Sequence, residues 1–258
     1  MNYWRIILSL LLAASSAMAA EPIRLCQDEI AGEPWRRKDN SGLNMVMLRM
    51  VELRLNITFS VENLPWKRCL TMLEQGKFDG VIAASYREDR KKIGIYPSTA
   101  DGHTPDRNRR MSGEDFYFYK LKNGVFFWDG TRITNANKPV GAQQGYSAVA
   151  LLKEKGIQVD DRHRLPEQLM RKVALGHNSA ALLSAGEGDK WLGNASFKTS
   201  LEKVSTPFYQ SNGYLLLSHQ FYAAKRQTAE KIWDSIASVR TSGEYHKELK
   251  RFGQPITD

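Results

Sequence analysis

The segment from Leu64 to Arg90, LPWKRCLTMLEQGKFDGVIAASYREDR, constrains the fold more than any other part of the sequence. Its first half predicts an amphipathic helix that ends at Gly76, and the apolar run at residues 81–84 is typical of a strand buried on both faces. Ser85 and Arg90 follow that strand, at the edge of a sheet where α/β proteins bind small anions. Because the segment contains no nucleophile–base pair and no metal-ligand spacing, it indicates a binding site rather than a catalytic one.

The first twenty residues predict export from the cytoplasm. Arg5 gives the amino terminus a positive charge, residues 6–14 are apolar except for one serine, and Ala17-Met18-Ala19 forms a small-x-small cleavage site. This is the pattern of a cleaved Sec signal peptide at residues 1–20. A membrane anchor is the alternative, but the apolar run is well short of the ~20 residues that a span requires. We therefore expect a soluble, periplasmic mature protein.

Length and charge narrow the choice of partners. Of the 258 residues, about 238 remain after the signal peptide, enough for one large domain or two small lobes. The formal net charge of +9 comes from basic residues that are scattered among acidic ones, as at residues 87–90. An exported protein rarely meets nucleic acid, so we expect no nucleic-acid partner. At most, the charge mildly favours an anionic ligand or an anionic membrane surface.

The two cysteines, Cys26 and Cys69, are expected to form a disulfide in an oxidising compartment. Such a bond closes a loop of about 43 residues and is worth about 3–4 kcal/mol in the chain-entropy model. Two buried free thiols remain the alternative, because connectivity cannot be read from a sequence.

A second segment, LPEQLMRKVALGHNSAALLSAGEG at residues 165–188, repeats the order of the first: Leu-Pro, a short amphipathic helix, a glycine and an alanine-rich strand. Strands alternate with helices around both segments, which predicts parallel α/β units. The polar stretch at residues 98–115 interrupts the pattern, either as a solvated insertion or as a binding loop. We therefore predict two lobes of like topology, residues 21–115 and 116–208, with a return to the first lobe at 209–258.

Six short motifs carry a resemblance to one family of proteins. They are SGLN at residues 41–44, PWKR at 65–68, GKFDG at 76–80, Ser85 with Arg90, VGAQQG at 140–145 and GEY at 243–245. Across essentially the whole mature chain, the sequence resembles the periplasmic solute-binding proteins of family 3, the polar-amino-acid type that feeds ATP-driven importers. The resemblance implies an α/β fold, the two-lobed periplasmic binding protein type II fold or Venus flytrap, in which each lobe is a mainly parallel sheet flanked by helices.

The resemblance also assigns Arg90 to the carboxylate of a ligand. A guanidinium group is planar, always charged and suited to a bidentate carboxylate, although an ion pair with Glu88 or Asp89 is the alternative. In the family an aspartate usually holds the ammonium group of the ligand, and the equivalent position here is Ser184. Asp28, in the loop after the first strand, can replace that aspartate, but its position fits a solvated loop acid equally well.

Two serines are further candidates for the binding site, Ser85 and Ser147, although both also fit turn or N-cap roles. Three aromatic side chains are expected to form a wall of the binding cleft: Trp35, Trp66 and Tyr146. The helical spacing of Trp66 also fits a core position. The last candidate is Tyr209, at the predicted hinge.

These features predict a binding protein without a cofactor or a metal. The five histidines show no HExxH spacing, and no GxSxG or CxxC occurs, so no catalytic residue is assigned. We expect a monomer that captures a small, amino-acid-like solute with a carboxylate by hinge closure and presents it to an ABC importer. A sensory module for a membrane signalling partner is the first alternative, and a periplasmic dehydratase-type enzyme is the second.

Overall fold

The computed structural model describes residues 21–254 and residue 256, so the predicted signal peptide lies outside the described residues. Within this part of the chain no helix is long and apolar enough to cross a membrane. The strands are β1 Ile23–Asp28, β2 Phe59–Leu64, β3 Gly80–Ser85, β4 Ser112–Leu121, β5 Phe127–Trp128, β6 Ile133–Thr134, β7 Val140–Ala142, β8 Val159–Asp160, β9 Ala180–Ser184, β10 Leu201–Lys203 and β11 Tyr209–Leu217. The α-helices are α1 Leu43–Leu55, α2 Trp66–Glu74, α3 Ser147–Glu154, α4 Pro166–Ala174, α5 Ala185–Leu192, α6 Ala195–Lys198, α7 His219–Arg240 and α8 Gly243–Arg251.

One curled sheet runs through both lobes in the order β2-β1-β3-β11-β4-β9-β7-β8. In the first lobe β1 pairs in parallel with β2 and β3, and in the second lobe β7 pairs in parallel with β8 and β9. The antiparallel strands are β4 and β11, which join the two halves, and β10, which pairs with β4. The predicted fold class, two α/β lobes with mainly parallel sheets, is confirmed.

The two long strands β4 and β11 form the connection between the lobes. They pair from Tyr209 opposite Phe116 to Gly213 opposite Ser112, after which β11 continues along β3 of the first lobe. The predicted lobe boundaries at residues 116 and 209 fall in this paired region and stay predictions. The prediction that residues 112–115 belong to a polar break was wrong, because they form the start of β4, whose polar residue Glu114 lines the cleft.

Each lobe has its own hydrophobic core on both faces of its sheet. In the first lobe α1, α7 and α8 cover one face, where Trp233 is buried, and α2 covers the other. In the second lobe α3 covers one face and α4 with α6 covers the other. Because alternate strand residues point to opposite faces, each central strand contributes to two separate clusters.

The disulfide between Cys26 and Cys69 is present and ties β1 to α2 inside the first lobe. Both cysteines are fully buried, and their Cα atoms are 5.9 Å apart. The sequence separation of 43 residues matches the predicted loop. The predicted pairing is confirmed.

The internal repeat has the same order of elements in both lobes, a helix, a glycine turn and a strand. Helices α2 and α4 are each followed by a glycine in the left-handed region, Gly76 with φ 68° and Gly176 with φ 69°. Glycine adopts this conformation without the steric cost of a Cβ atom. The strands that follow, β3 and β9, each lie between a parallel strand of their own lobe and one of the two connecting strands. The strand ends therefore face each other across the cleft.

Candidate functional site

A cavity lies between the lobes, where the carboxyl ends of β1, β3 and β9 meet the connecting strands. The space that the centre of a water-sized atom can reach is about 50 Å³, too small for an amino acid without movement of the lining. The structure is therefore a closed form, and a larger ligand requires the lobes or the lining side chains to move apart. The polar lining consists of Asp28, Arg36, Ser85, Arg90, Glu114, Tyr146, Ser147, Ser184 and Glu187.

Six of the eight predicted binding residues line this cavity. They are Asp28, Trp66, Ser85, Arg90, Tyr146 and Ser147. They come from both lobes, as the predicted clamp requires, but their roles in ligand binding stay predictions.

Arg90 is buried at the boundary between the lobes. Its Nη1 donates to the carbonyl of Ser85 in the first lobe, at 2.9 Å, and its Nη2 donates to the carbonyl of Gly145 in the second lobe, at 2.8 Å. The ring of Trp66 lies 5.6 Å from the guanidinium carbon, and its Nε1 donates to the same Gly145 carbonyl at 3.1 Å. The ion pairs with Glu88 and Asp89, considered as an alternative, are not formed; these acids pair with Lys91 and Arg87.

Ser147 is the first residue of α3 rather than its N-cap. The N-cap is Tyr146, and no side chain caps this helix, so the predicted capping role of Ser147 was wrong. Instead, the Ser147 hydroxyl hydrogen-bonds to the hydroxyl of Tyr209 at 2.9 Å. Tyr209 stacks on Phe116 with ring centroids 4.6 Å apart, directly behind the cavity wall. Burial raises the pKa of Tyr209, so it remains a neutral phenol.

Ser85 is the last residue of β3 and accepts hydrogen bonds from three side chains. Its carbonyl accepts from Arg90 and from the Tyr96 hydroxyl, which lies 2.7 Å away. Its own hydroxyl accepts from Ser211 of β11 at 2.6 Å. The end of β3 is thus hydrogen-bonded to the connecting strand β11.

Asp28, Tyr146 and Arg36 form a chain of hydrogen bonds across the cleft. The Tyr146 hydroxyl donates to Asp28 Oδ2 at 2.7 Å and accepts from Arg36 Nη2 at 3.1 Å. The same Arg36 nitrogen lies 3.7 Å from Glu187 Oε1. Burial raises the pKa of Tyr146 well above its usual value, despite the opposing effect of Arg36. Asp28 is therefore a partner of the second lobe and not a solvated loop acid.

Trp35 lies away from the cavity between the lobes. It packs against the core of the first lobe and lines a separate small cavity with Arg110, Met111 and Tyr245. Its carbonyl accepts from the amide of Asn44 at 3.0 Å, at the start of α1. In this structure the aromatic wall of the cleft is made by Trp66, Tyr146 and Phe116 instead.

Three charged residues of the site were missed by the sequence analysis: Arg36, Glu114 and Glu187. Burial raises the pKa of Glu114 to about 8, and the neighbouring charge of Glu187 adds to this effect. Burial also raises the pKa of Glu187, although Arg36 opposes the shift. The carboxylate of Glu187 also accepts from Gln143 at 3.4 Å and from Ser184 at 3.2 Å.

Direct contacts between the lobes hold the cleft shut. Besides the bonds of Arg90, Trp66 and Tyr146, Glu29 of the first lobe pairs with Arg164 of the second. Gly186 of α5 packs so closely on the Glu33 carbonyl that an added Cβ atom would overlap with it. This closed arrangement thus depends on a glycine at position 186.

Comparison with known proteins identifies the fold. No family model and no curated protein sequence matches the chain. Among solved structures, a histidine kinase sensor domain with similarity to periplasmic binding proteins has a TM-score of 0.71 at 14% identity, over 91% of this chain and 96% of that chain. The GluR0 ligand-binding core from Nostoc punctiforme in complex with L-glutamate has a TM-score of 0.69 at 14% identity, over 91% and 100%. An arginine 3rd transport system periplasmic binding protein from Legionella pneumophila has a TM-score of 0.68 at 14% identity, over 90% and 99%. The chain has the periplasmic-binding-protein type II fold, which confirms the predicted resemblance at the level of the fold.

Proposed function

We propose that the protein is a periplasmic solute-binding protein, which captures a small, amino-acid-like solute with a carboxylate between its lobes and presents it to an ABC importer. The cavity between the lobes carries this proposal, because it gathers charged and aromatic side chains from the strand ends of both lobes. The structural similarity to an arginine-binding transport protein and to a glutamate-binding core supports a ligand of this class.

Hinge closure follows from the position of these residues on both sides of the cleft. A ligand that contacts both lobes binds the closed form better than the open form and shifts the population toward it. The two connecting strands, β4 and β11, are the segments about which such a motion takes place. The closed surface is then what a membrane partner recognises.

Arg90 is the residue that we assign to the ligand's carboxylate. A guanidinium group has five N–H donors, and two of them are used by the carbonyls of Ser85 and Gly145. These two bonds fix the plane of the group and leave three donors for a carboxylate. Release of the Gly145 bond on opening would free a fourth.

A thermal-shift screen of the mature protein tests this function. The panel contains amino acids, short peptides, organic acids and polyamines, and is repeated on Arg90→Ala and on a control, Arg132→Ala, whose side chain is exposed in the second lobe. We expect a carboxylate compound to raise the melting temperature of the wild type and the control, and much less that of Arg90→Ala. Equal shifts in all three proteins would refute the role of Arg90.

A sensory role is the second candidate, because one of the similar structures is a histidine kinase sensor domain. Uptake of the radiolabelled ligand in a deletion strain separates the two. Loss of uptake supports import, whereas unchanged uptake with loss of a ligand-dependent transcriptional response supports sensing.

A further inference from the structure

Glu114 is the charged residue of the cleft whose partner is missing. It lies on β4 between the lobes and lines the cavity, where it is half-buried. Among the described residues, no side chain or amide donates to its carboxylate, and no cation lies within ion-pair distance. Buried carboxylates are normally paired because desolvation of an unpaired charge is costly. The unpaired carboxylate therefore points to a ligand group that supplies the missing cation or donor.

The two cations that line the cavity, Arg36 and Arg90, form no ion pair with Glu114, although the charge of Arg36 opposes the rise in the Glu114 pKa. Arg36, from the loop after β1, is already engaged with Tyr146 and Glu187, and Arg90 is engaged with two carbonyls. The charged groups of the cavity are three carboxylates and two guanidinium groups: Asp28, Glu114 and Glu187 against Arg36 and Arg90. With every group ionised, the cleft carries a surplus negative charge.

Glu187, in the first turn of α5, lines the same cavity as Glu114. Its two oxygens accept from Gln143 and Ser184, and Arg36 approaches one of them. The proximity of Glu187 is one cause of the raised pKa of Glu114, after burial. Two carboxylates that repel each other across a cavity are both stabilised by one cation placed between them.

We propose that Glu114 and Glu187 hold a protonated amine of the ligand, so that the cleft selects amino compounds over the corresponding hydroxy compounds. The inference rests on the proposed function, since it places the amine in the same cleft in which Arg90 meets the carboxylate. It assigns the cationic end of the ligand to β4 and α5, not to position 184, where the sequence has a serine.

The selection has a physical basis that distinguishes an amine from a hydroxyl. An ammonium group donates charge-assisted hydrogen bonds to both carboxylates and lowers the cost of ionising Glu114. A hydroxyl donates only one neutral bond and carries no charge that offsets the raised pKa of Glu114, so Glu114 keeps its proton at pH 7. Because Glu114 titrates near pH 8 in the empty closed cleft, amine binding at pH 7 should release a proton from the protein.

Calorimetric titration with matched pairs of compounds tests the inference. The pairs are L-alanine with L-lactate, L-glutamate with L-2-hydroxyglutarate, and L-lysine with L-2-hydroxy-6-aminohexanoate, so that each pair differs in one amine. They are titrated into the mature wild type, Glu114→Gln, the charge-retaining variant Glu114→Asp, and Asp115→Asn as a control. Asp115 is the next residue of β4 and points to the opposite face of the strand. Each titration is run in two buffers with different ionisation enthalpies, which gives the number of protons released.

We expect at least one amine compound to bind the wild type roughly 10- to 100-fold more tightly than its hydroxy partner, as charge-assisted bonds predict. Glu114→Gln should abolish most of that preference and the proton release, Glu114→Asp should retain part of both, and Asp115→Asn should retain all. The inference is overturned if the hydroxy compound binds equally well, if Glu114→Gln keeps the preference, or if no amine compound binds. A carboxylate ligand that depends on Arg90 but not on Glu114 would overturn this inference alone and leave the proposed function standing.

Discussion

Glu114 makes the empty closed cleft unfavourable, and this has consequences for stability that do not require a ligand. Its pKa in the folded protein, about 8, lies above the usual carboxyl value because of burial first and Glu187 second. At pH values between the pKa of Glu114 in the unfolded state and its pKa in the folded state, the folded protein keeps a proton on Glu114 that the unfolded protein has lost. The stability contributed by this proton is present at low pH and is lost as the pH rises through this window.

Glu114→Gln should therefore stabilise the unliganded protein only at high pH. We expect equal melting temperatures of variant and wild type near pH 4 and a higher value for the variant near pH 9. Each pKa unit is worth about 1.4 kcal/mol, but hydration of Glu114 on opening limits the gain to a few kcal/mol. Thermal unfolding followed by circular dichroism from pH 4 to pH 9 measures this. A pH-independent difference between the two proteins, or one matched by Asp115→Asn, would argue against the assigned environment.

Single residues also show where sequence-based prediction ends. Arg90, Ser85 and Tyr146 were predictable because they follow strand ends or a glycine turn with a recognisable spacing. Arg36, Glu114 and Glu187 were not, because each lies in a polar segment without periodicity and reaches the cleft through a loop, a strand and a helix, respectively, that the tertiary fold places there. Trp35 was predicted on the cleft wall because its type suited the role, but it packs on the core of its own lobe.

At the scale of elements, helix α5 limits how far the lobes can close. Gly186, its second residue, contacts the Glu33 carbonyl of the first lobe without room for a methyl group. Gly186→Ala should therefore hold the cleft partly open. If the clash costs about 1–3 kcal/mol in the closed form, the affinity for the ligand falls roughly 5- to 150-fold.

The matched control for this variant is Gly243→Ala, at the first position of α8, where an added Cβ atom meets nothing within 4 Å. Both changes raise the helix propensity of the sequence in the same way. Calorimetry of the ligand with both variants separates the contact from the propensity. Equal affinities in Gly186→Ala and Gly243→Ala would show that α5 does not limit closure.

The disulfide between β1 and α2 is a second element-scale feature with a measurable effect. It closes a loop of 43 residues, which predicts a loss of about 4 kcal/mol in the free energy of unfolding for the Cys26→Ala, Cys69→Ala double variant. Urea unfolding of the variant and the wild type checks this value. A double variant as stable as the wild type would show that the bond adds nothing to the buried contacts of this region.

The elements themselves were largely predictable, and their ends were not. The glycine stops after α2 and α4 and the apolar runs of β3 and β9 are local signals, and the structure has them where the sequence placed them. Helix α5 was missed because AGEGDKWL has two glycines and no apolar periodicity. Its helical form depends on packing against β4 and α4. The starts of β4 and β11 were missed for a related reason, since one face of each strand lines the cleft and is polar.

At the scale of the whole molecule, the net charge of the protein is positive, whereas the cleft has more acidic than basic groups. The chain has 37 basic and 28 acidic residues, yet the cavity holds three acids and two arginines. The net charge alone predicted a mild preference for anionic ligands. That prediction does not describe the cleft, because a sum over all charges contains no information about which of them line the cavity. The field of the surface acts on association, whereas the cleft decides selectivity.

Opening and closing of the two lobes connect these scales. In the proposed mechanism, ionisation of Glu114 at high pH favours the open form of the unliganded protein, in which water hydrates Glu114 and Glu187. In the same mechanism, the amine and the carboxylate of the proposed ligand pair with the charges of both lobes, and the contacts of Arg90, Tyr146 and Gly145 form around it. Near pH 9, Glu114→Gln should accordingly make the unliganded protein more compact than the wild type.

Small-angle X-ray scattering of the mature wild type, with and without a saturating ligand from the screen, tests closure of the cleft most directly. With ligand, we predict a radius of gyration of about 18 Å, the value expected for a compact chain of this length, and a scattering curve that fits the closed structure. Without ligand, we predict a larger radius of gyration. An unchanged scattering curve at saturating ligand would contradict capture by closure of the two lobes.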